Sequence, residues 1–267
     1  MIPQKTKTII RKNTWVALLA GLTACGETPP EITPTTASDS LSAVYETKPD
    51  FGAITDIQQR KAAFFDYLRP AVAFENQRIE GERQFLLDIQ QQMDAGQVPD
   101  SRAMAQVNEL SEAYMVTLDG DGVTQSWLTR MLKRVDVLPE SLVLSQAANE
   151  SGWGRSRFAI EGNNYFGQWC YRQGCGLVPS SRTDGASHEV AVFASPYLSV
   201  KAYFMNVNRN PAYAELRDIR ALQRQAGQRI EGKRLAEGLH RYSERGHAYV
   251  DEIQSMIRHN NQYWRQG

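Results

Sequence analysis

Residues 144–169 read LSQAANESGWGRSRFAIEGNNYFGQW and put one acid, Glu150, at the end of an apolar helical run. A turn of small residues, Ser151-Gly152-Trp153-Gly154, follows at once, and then the segment Asn163-Asn164-Tyr165-Phe166-Gly167. A carboxyl where a buried helix meets a glycine-rich, aromatic turn is partly desolvated, and desolvation raises its pKa. The dipole at a helix C-terminus disfavours negative charge and acts in the same direction. A carboxyl that keeps its proton near neutral pH can act as a general acid and donate to a glycosidic oxygen. Taken alone, a Glu at a helix end is more often a solvated surface residue.

Glycosidases usually pair the acid with a second carboxylate about 5 to 9.5 Å away. Glu189, in His188-Glu189-Val190, is the first candidate for that catalytic partner, and Asp184 is the second. The competing reading makes Glu189 an ordinary edge-strand residue. Apolar sugar faces stack on aromatic rings, so Trp153, Tyr165, Phe166, Trp169 and Tyr242 are candidates for a sugar cleft. Core packing competes for each of them, most strongly for Phe166 and Trp153. Tyr197, Tyr203, Phe204 and Tyr213 recur at helical spacing and are assigned to the core. His188, His240, His247 and His259 lack metal-ligand spacing, and no cofactor motif, phosphate loop or Ser-His-Asp signature is present. Asp119-Gly120-Asp121-Gly122 lacks the spaced oxygens and terminal Glu of a calcium loop and reads as a plain turn. Neither a metal nor a cofactor is expected.

The run Gln146-Ala147-Ala148-Asn149-Glu150-Ser151-Gly152-Trp153-Gly154 resembles the segment that carries the catalytic acid in bacterial peptidoglycan β-N-acetylglucosaminidases. Asn163-Asn164-Tyr165-Phe166-Gly167 is similar to that family's Asn-Asn-Leu/Tyr-Phe-Gly. Tyr242, in Tyr242-Ser243-Glu244-Arg245-Gly246, aligns with a family tyrosine on the wall of the sugar cleft. Three motifs in order, over roughly residues 142–249, make a specific match. Two departures point to the Bax-like branch: Gln168-Trp169 and the cysteine pair stand where Ile-Lys is commoner, and Ser243-Glu244-Arg245 follows Tyr242 in place of Ala-Thr-Asp. The resemblance implies a mainly α, lysozyme-like helical domain with a small β-hairpin lobe. It implies hydrolysis of β-1,4 bonds after N-acetylglucosamine in peptidoglycan glycan strands, with Glu150 as general acid and Asn164 among the substrate-binding residues. It also opens a route without a second carboxylate, in which the substrate's N-acetyl oxygen attacks the anomeric carbon and Tyr242 places or stabilises it. A lytic transglycosylase is the nearest rival, although such enzymes typically carry Gly-Leu-Met-Gln where this chain has Asn-Asn-Tyr-Phe-Gly. A silent glycan-binding or scaffolding lipoprotein is the rival from another class.

The first residues read as a processing signal. Lys5, Lys7, Arg11 and Lys12 form a basic region, and the apolar stretch 15–22 is too short to span a bilayer as a mature helix. Leu22-Thr23-Ala24-Cys25 resembles a bacterial lipobox, which predicts a signal peptide over 1–24 and lipid on Cys25. Several acyl chains on one residue give stable membrane anchoring. Gly26 at the next position favours the outer membrane, facing the periplasm. In that oxidising compartment Cys170 and Cys175 are expected to form a disulfide, worth about 2 kcal/mol for so short a loop. Two free thiols are the plainer alternative, and a zinc site would have only these two thiols and no nearby His.

These residues need a scaffold. Residues 25–55 are rich in Pro, Thr and Ser and read as a flexible linker. Residues 56–122 form an N-terminal helical region, with apolar residues at three- and four-residue spacing from 56 to 93 and another helix over 103–118. Pro70 is expected to kink or divide the first run, and Gly81 offers a second break. These helices could dock an envelope protein, cover the cleft, or simply pack. The catalytic domain spans 123–267, with helices predicted over 127–135, 140–150, 196–207, 212–225, 232–242 and 248–260. Between 176 and 193 helical features fade, and Val190 and Val192 alternate with Glu189 and Ala191, a weak strand signal in a small β-hairpin lobe.

Charge is uneven. From residue 123 onward there are 19 Lys and Arg against 13 Asp and Glu, whereas residues 25–124 hold 7 against 17. A basic half suits an anionic polymer such as peptidoglycan, and an exported lipoprotein seldom meets nucleic acid.

Overall fold

The computed structural model describes residues 45, 47–120, 122–180 and 188–264. Cys25, the signal segment, most of the linker and Asp184 lie outside them.

Apolar residues at helical spacing build α1 (Ile57–Asp94), and Asp56 caps it by accepting from the Gln59 amide at 2.8 Å. Of the two expected effects of Pro70, a kink or a division, the division does not occur: α1 runs unbroken through Pro70 and Gly81. Proline disturbs the backbone hydrogen bonds of the turn it sits in. Here the Ala71 amide donates to the Tyr45 hydroxyl at 3.1 Å. Phe64, Phe65, Leu68, Ala71, Val72 and Ile79 are buried on both sides of the proline, so packing carries the helix through. Helix α2 (Ser101–Tyr114) ends earlier than predicted, because Met115 turns into the left-handed region at φ 55°.

Thr124 caps α3 (Gln125–Arg134). Next comes α4 (Glu140–Ser151), whose residues 142–148 are all buried, so it runs through the core. Its start is pinned to α1, since the Asn76 side chain donates to Leu138 O at 2.9 Å and accepts from Leu138 N at 3.0 Å. Gly152, at φ 55°, ends it. A six-residue helix, α5 (Arg157–Gly162), follows; it is too short to leave a periodic signal in the sequence.

Three short strands form the β lobe: β1 (Trp169–Cys170), β2 (Gly176–Leu177) and β3 (Glu189–Ala191). They make one antiparallel sheet in the order β1-β3-β2, with Trp169 opposite Val190, Cys170 opposite Glu189, and Leu177 also opposite Val190. The expected hairpin is therefore a three-stranded sheet with β3 at its centre.

After the lobe come α6 (Pro196–Arg209) and α7 (Ala214–Gln225). The helix predicted over 232–242 is instead α8 (Gly232–Leu235) followed by a 3₁₀ turn, Ala236–Leu239. Gly238 lies so close to α7 that a Cβ there would stand 2.3 Å from Leu216 N, and this contact fixes the tighter path. The last helix is α9 (His247–His259).

Helices α1, α8 and α9 pack around α4, and α1 also packs on α6, all within one continuous hydrophobic core. The fold is mainly α with a small β lobe, of the lysozyme-like kind. Among the described residues no helix is long and apolar enough to cross a membrane.

Candidate active site

Glu150 lies in the last turn of α4, and Gln146 lies one turn earlier on the same side. Glu150 Oε1 accepts a hydrogen bond from the Tyr249 hydroxyl of α9 at 2.7 Å. The Tyr249 oxygen accepts from Gln146 Nε2 at 3.0 Å, and Gln146 Oε1 accepts from the Tyr203 hydroxyl of α6. The donors Tyr203, Gln146 and Tyr249 thus form one chain that ends on the carboxyl. Successive bonds with one sense of donation polarise one another. Gln146, Tyr203 and Tyr249 are all buried, so each polar group needs the partner it has.

Burial pushes the Glu150 carboxyl above its ordinary pKa, and the Glu252 charge adds to the rise. Hydrogen bonds from Tyr249 and Asn149 and the Arg245 charge pull it back, but the net direction is upward. Glu252 and Arg245 pair with each other at 2.8 Å. Burial also raises the Tyr249 phenol, as does the neighbouring Glu150 charge, so Tyr249 stays protonated and remains a donor.

Phe166 and Gly167 border this chain. The Tyr242 ring stacks on Tyr249, with centroids 5.2 Å apart and planes at 10°, and the Tyr242 hydroxyl donates to Phe166 O at 2.9 Å. The Phe166 ring stacks on Tyr203 at 4.1 Å. Asn164 shapes the turn: its Nδ2 donates to Gln168 O and Ala191 O, both at 2.9 Å, and its Oδ1 accepts from the amides of Phe166 and Gln168. Gly167 takes φ 63°, and a Cβ there would lie 3.9 Å from Glu150 Oε2. A glycine therefore keeps that side of the carboxyl open.

The other candidates lie elsewhere. Trp153 stacks edge-on against Phe64 and Phe65 of α1, at 5.8 and 5.3 Å, beneath the Lys61 ammonium. It anchors the end of α4 to α1. Tyr165 is fully buried and packs against Phe64 and Tyr67. Trp169 is 57% exposed on the β lobe and stacks on His188 at 4.1 Å. Cys170 and Cys175 form a disulfide, so these thiols are not metal ligands alongside the nearby Glu189 carboxylate. Glu189 is buried, and its two oxygens accept from the amides of Gly174 and Gly176 at 3.0 and 2.8 Å.

Thus Glu150, Phe166 and Tyr242 come together, and Tyr249 joins them. Tyr249 was absent from the sequence-derived candidates because it shares the apolar spacing of Val250, Ile253 and Ile257 and reads as core. The one sequence signal for it is indirect. Gln146 is an amide on an apolar helix, one turn before the acid, and a buried amide requires partners.

The fold is lysozyme-like, and the domain is of a glycan-hydrolase kind. Residues 126–262 match the glucosaminidase family, described as mannosyl-glycoprotein endo-beta-N-acetylglucosaminidase, and the chain belongs to that family. It is 34% identical over 220 residues to "Protein bax" of Escherichia coli (strain K12), across 82% of this chain and 76% of that protein. This likeness makes it a Bax-like member of the family. No solved structure matches the chain.

Proposed function

We propose that this protein hydrolyses the β-1,4 bond after N-acetylglucosamine in peptidoglycan glycan strands, with Glu150 as general acid. The observation that carries the reading is the protonation-favouring burial of Glu150 on the Tyr249 hydrogen bond at 2.7 Å. Glu150 gives its proton to the departing oxygen as the bond to the anomeric carbon breaks. The acetamido oxygen of the same sugar closes on that carbon, and water, passing a proton to the Glu150 carboxylate, later opens the ring that forms and restores the acid. Tyr242 supports this route, because its oxygen still has lone-pair capacity to accept from the acetamido N–H. The surplus of basic residues from 123 onward favours an anionic polymer.

The location we propose is the outer membrane, through lipid on Cys25, facing the periplasm. The order of basic region, short apolar region and Leu22-Thr23-Ala24-Cys25 supports it. Labelled palmitate should enter the protein and be lost from Cys25→Ala.

Mass spectrometry of purified peptidoglycan digested by the full chain, beside Glu150→Gln, tests the activity. New reducing N-acetylglucosamine ends that the variant does not produce are expected. Anhydro-muramic ends would make it a transglycosylase instead. No new ends, with the protein sedimenting with the wall, would make it a binding protein.

A further inference from the structure

The β lobe holds an exposed tryptophan stacked on a half-buried histidine, and a buried acid, and the chemistry proposed at Glu150 draws on neither. His188 lies nearly parallel to the Trp169 indole, at 18° and 4.1 Å, and covers one of its faces. Trp169 remains 57% exposed, so more than half of its surface is open to solvent. An indole backed by a second ring and otherwise largely exposed is suited to stack on the apolar face of a pyranose ring.

What holds the platform is the acid behind it. Antiparallel partners share a sheet face, so Cys170 and Glu189 lie on one side of the lobe and Trp169 and Val190 on the other. Glu189 is 6% exposed; one of its oxygens accepts from the Gly174 amide inside the Cys170–Cys175 loop, and the other from the Gly176 amide at the start of β2. Gly176 brings β2 in so closely that a Cβ would stand 2.0 Å from Val190 O. The disulfide, the strand ladder and the Glu189 carboxylate therefore close one loop in three ways, and Trp169 projects from its rim. A carboxylate held by an amide on each oxygen and only 6% exposed is suited to fixing that loop, and its burial leaves little room for a water to reach it.

We infer that Glu189 is a positioning residue which, with the Cys170–Cys175 bridge, holds Trp169 and His188 as a stacking subsite for β-1,4-linked N-acetylhexosamine. The inference rests on the glycan-hydrolase reading above.

The probe is the β-1,4 tetramer of N-acetylglucosamine. Its binding is titrated by calorimetry against the full chain carrying Glu150→Gln, so that cleavage does not interfere. Adding Trp169→Ala should weaken binding about tenfold, the equivalent of about 1.4 kcal/mol. Glu189→Gln and the double variant Cys170→Ser/Cys175→Ser should weaken it in the same direction. With Glu150 intact, those two should raise KM by more than they lower kcat. Unchanged binding in Trp169→Ala overturns the subsite. If Glu189→Ala loses about a hundredfold or more in kcat at unchanged KM, and added azide restores turnover, Glu189 is the second catalytic carboxylate and the inference fails. If the chain cleaves no glycan yet the binding pattern holds, the subsite stands and the reading of Glu150 falls.

Discussion

Tyr249 donates its hydroxyl to Glu150 while the same oxygen accepts from Gln146, so the phenol fixes both the orientation and the proton affinity of the acid. The bond pulls the Glu150 pKa down against the larger upward push of burial. Tyr249→Phe removes the downward pull and leaves the Gln146 amide without its acceptor. The Glu150 pKa then rises further, and the basic limb of the kcat/KM–pH profile moves to higher pH. Loss of orientation should lower kcat about tenfold, which corresponds to about 1.4 kcal/mol. A limb that moves to lower pH would show that the phenol does not stabilise the carboxylate.

Glu150→Gln separates the acid's chemical role from its effect on stability. Turnover should fall by roughly a hundredfold to ten-thousandfold, the range for a positioned general acid. Stability should change in the other direction. The folded pKa of Glu150 is raised above the ordinary 4.5, so folding binds the proton more tightly than the unfolded chain does. The stabilisation from that proton is complete below the unfolded value and is lost as pH rises through the folded one. Gln carries no charge at any pH and escapes the loss. The Tm of Glu150→Gln relative to the parent should therefore climb as pH rises above about 4.5 and then level off. Melting curves across pH read this directly, and a difference that shrinks with pH would refute the upward shift.

Gly167 tests how much open space the carboxyl needs. Its φ of 63° costs an alanine about 1–2 kcal/mol. The new methyl would also stand 3.9 Å from Glu150 Oε2 and narrow that side of the carboxyl. Gly167→Ala should lower Tm and also cut kcat/KM at temperatures where the variant is fully folded. Full activity in the folded variant would mean that substrate reaches Glu150 from elsewhere.

The helix that ends around Glu150, the small-residue turn after it and the strand at Val190 are legible because each rests on local chemistry. Glu150 follows an apolar helix and precedes Gly152, and Val190 alternates with its neighbours. What escaped depends on contacts distant in sequence. Tyr249 is 99 residues from the carboxyl it holds, and its apolar spacing looks like core because it is also core. The sequence offers Glu189 as a second catalytic carboxylate or an edge-strand residue, and neither its place on the central strand nor the Gly174 and Gly176 amides that bind it are encoded locally. For Trp153 core packing competes strongly with a place in the sugar cleft, and its contacts with Phe64 and Phe65 of α1 are packing contacts that the local sequence does not encode. The helix predicted over 232–242 fails where Gly238 meets Leu216, a close approach that no local pattern encodes.

The passage of α1 through Pro70 is the clearest such case and can be tested by a double-mutant cycle. Proline removes one backbone donor and pushes on the carbonyl four residues back, so the turn around it needs outside help. Tyr45, 26 residues from Ala71, supplies a hydroxyl to the Ala71 amide at 3.1 Å. Its ring also lies edge-on to Tyr67, one turn before Ala71, at 5.2 Å. Tyr45→Phe keeps the ring contact and deletes the acceptor, which should cost about 1 kcal/mol in urea unfolding. In a Pro70→Ala background the helix can recover its own acceptors, so the same Tyr45→Phe change should cost clearly less. The coupling between the two sites, about 0.5 kcal/mol or more, measures how far Tyr45 substitutes for the bonding that proline disturbs. Strictly additive losses would mean that packing of Phe64, Leu68 and Val72 alone carries α1 past the proline.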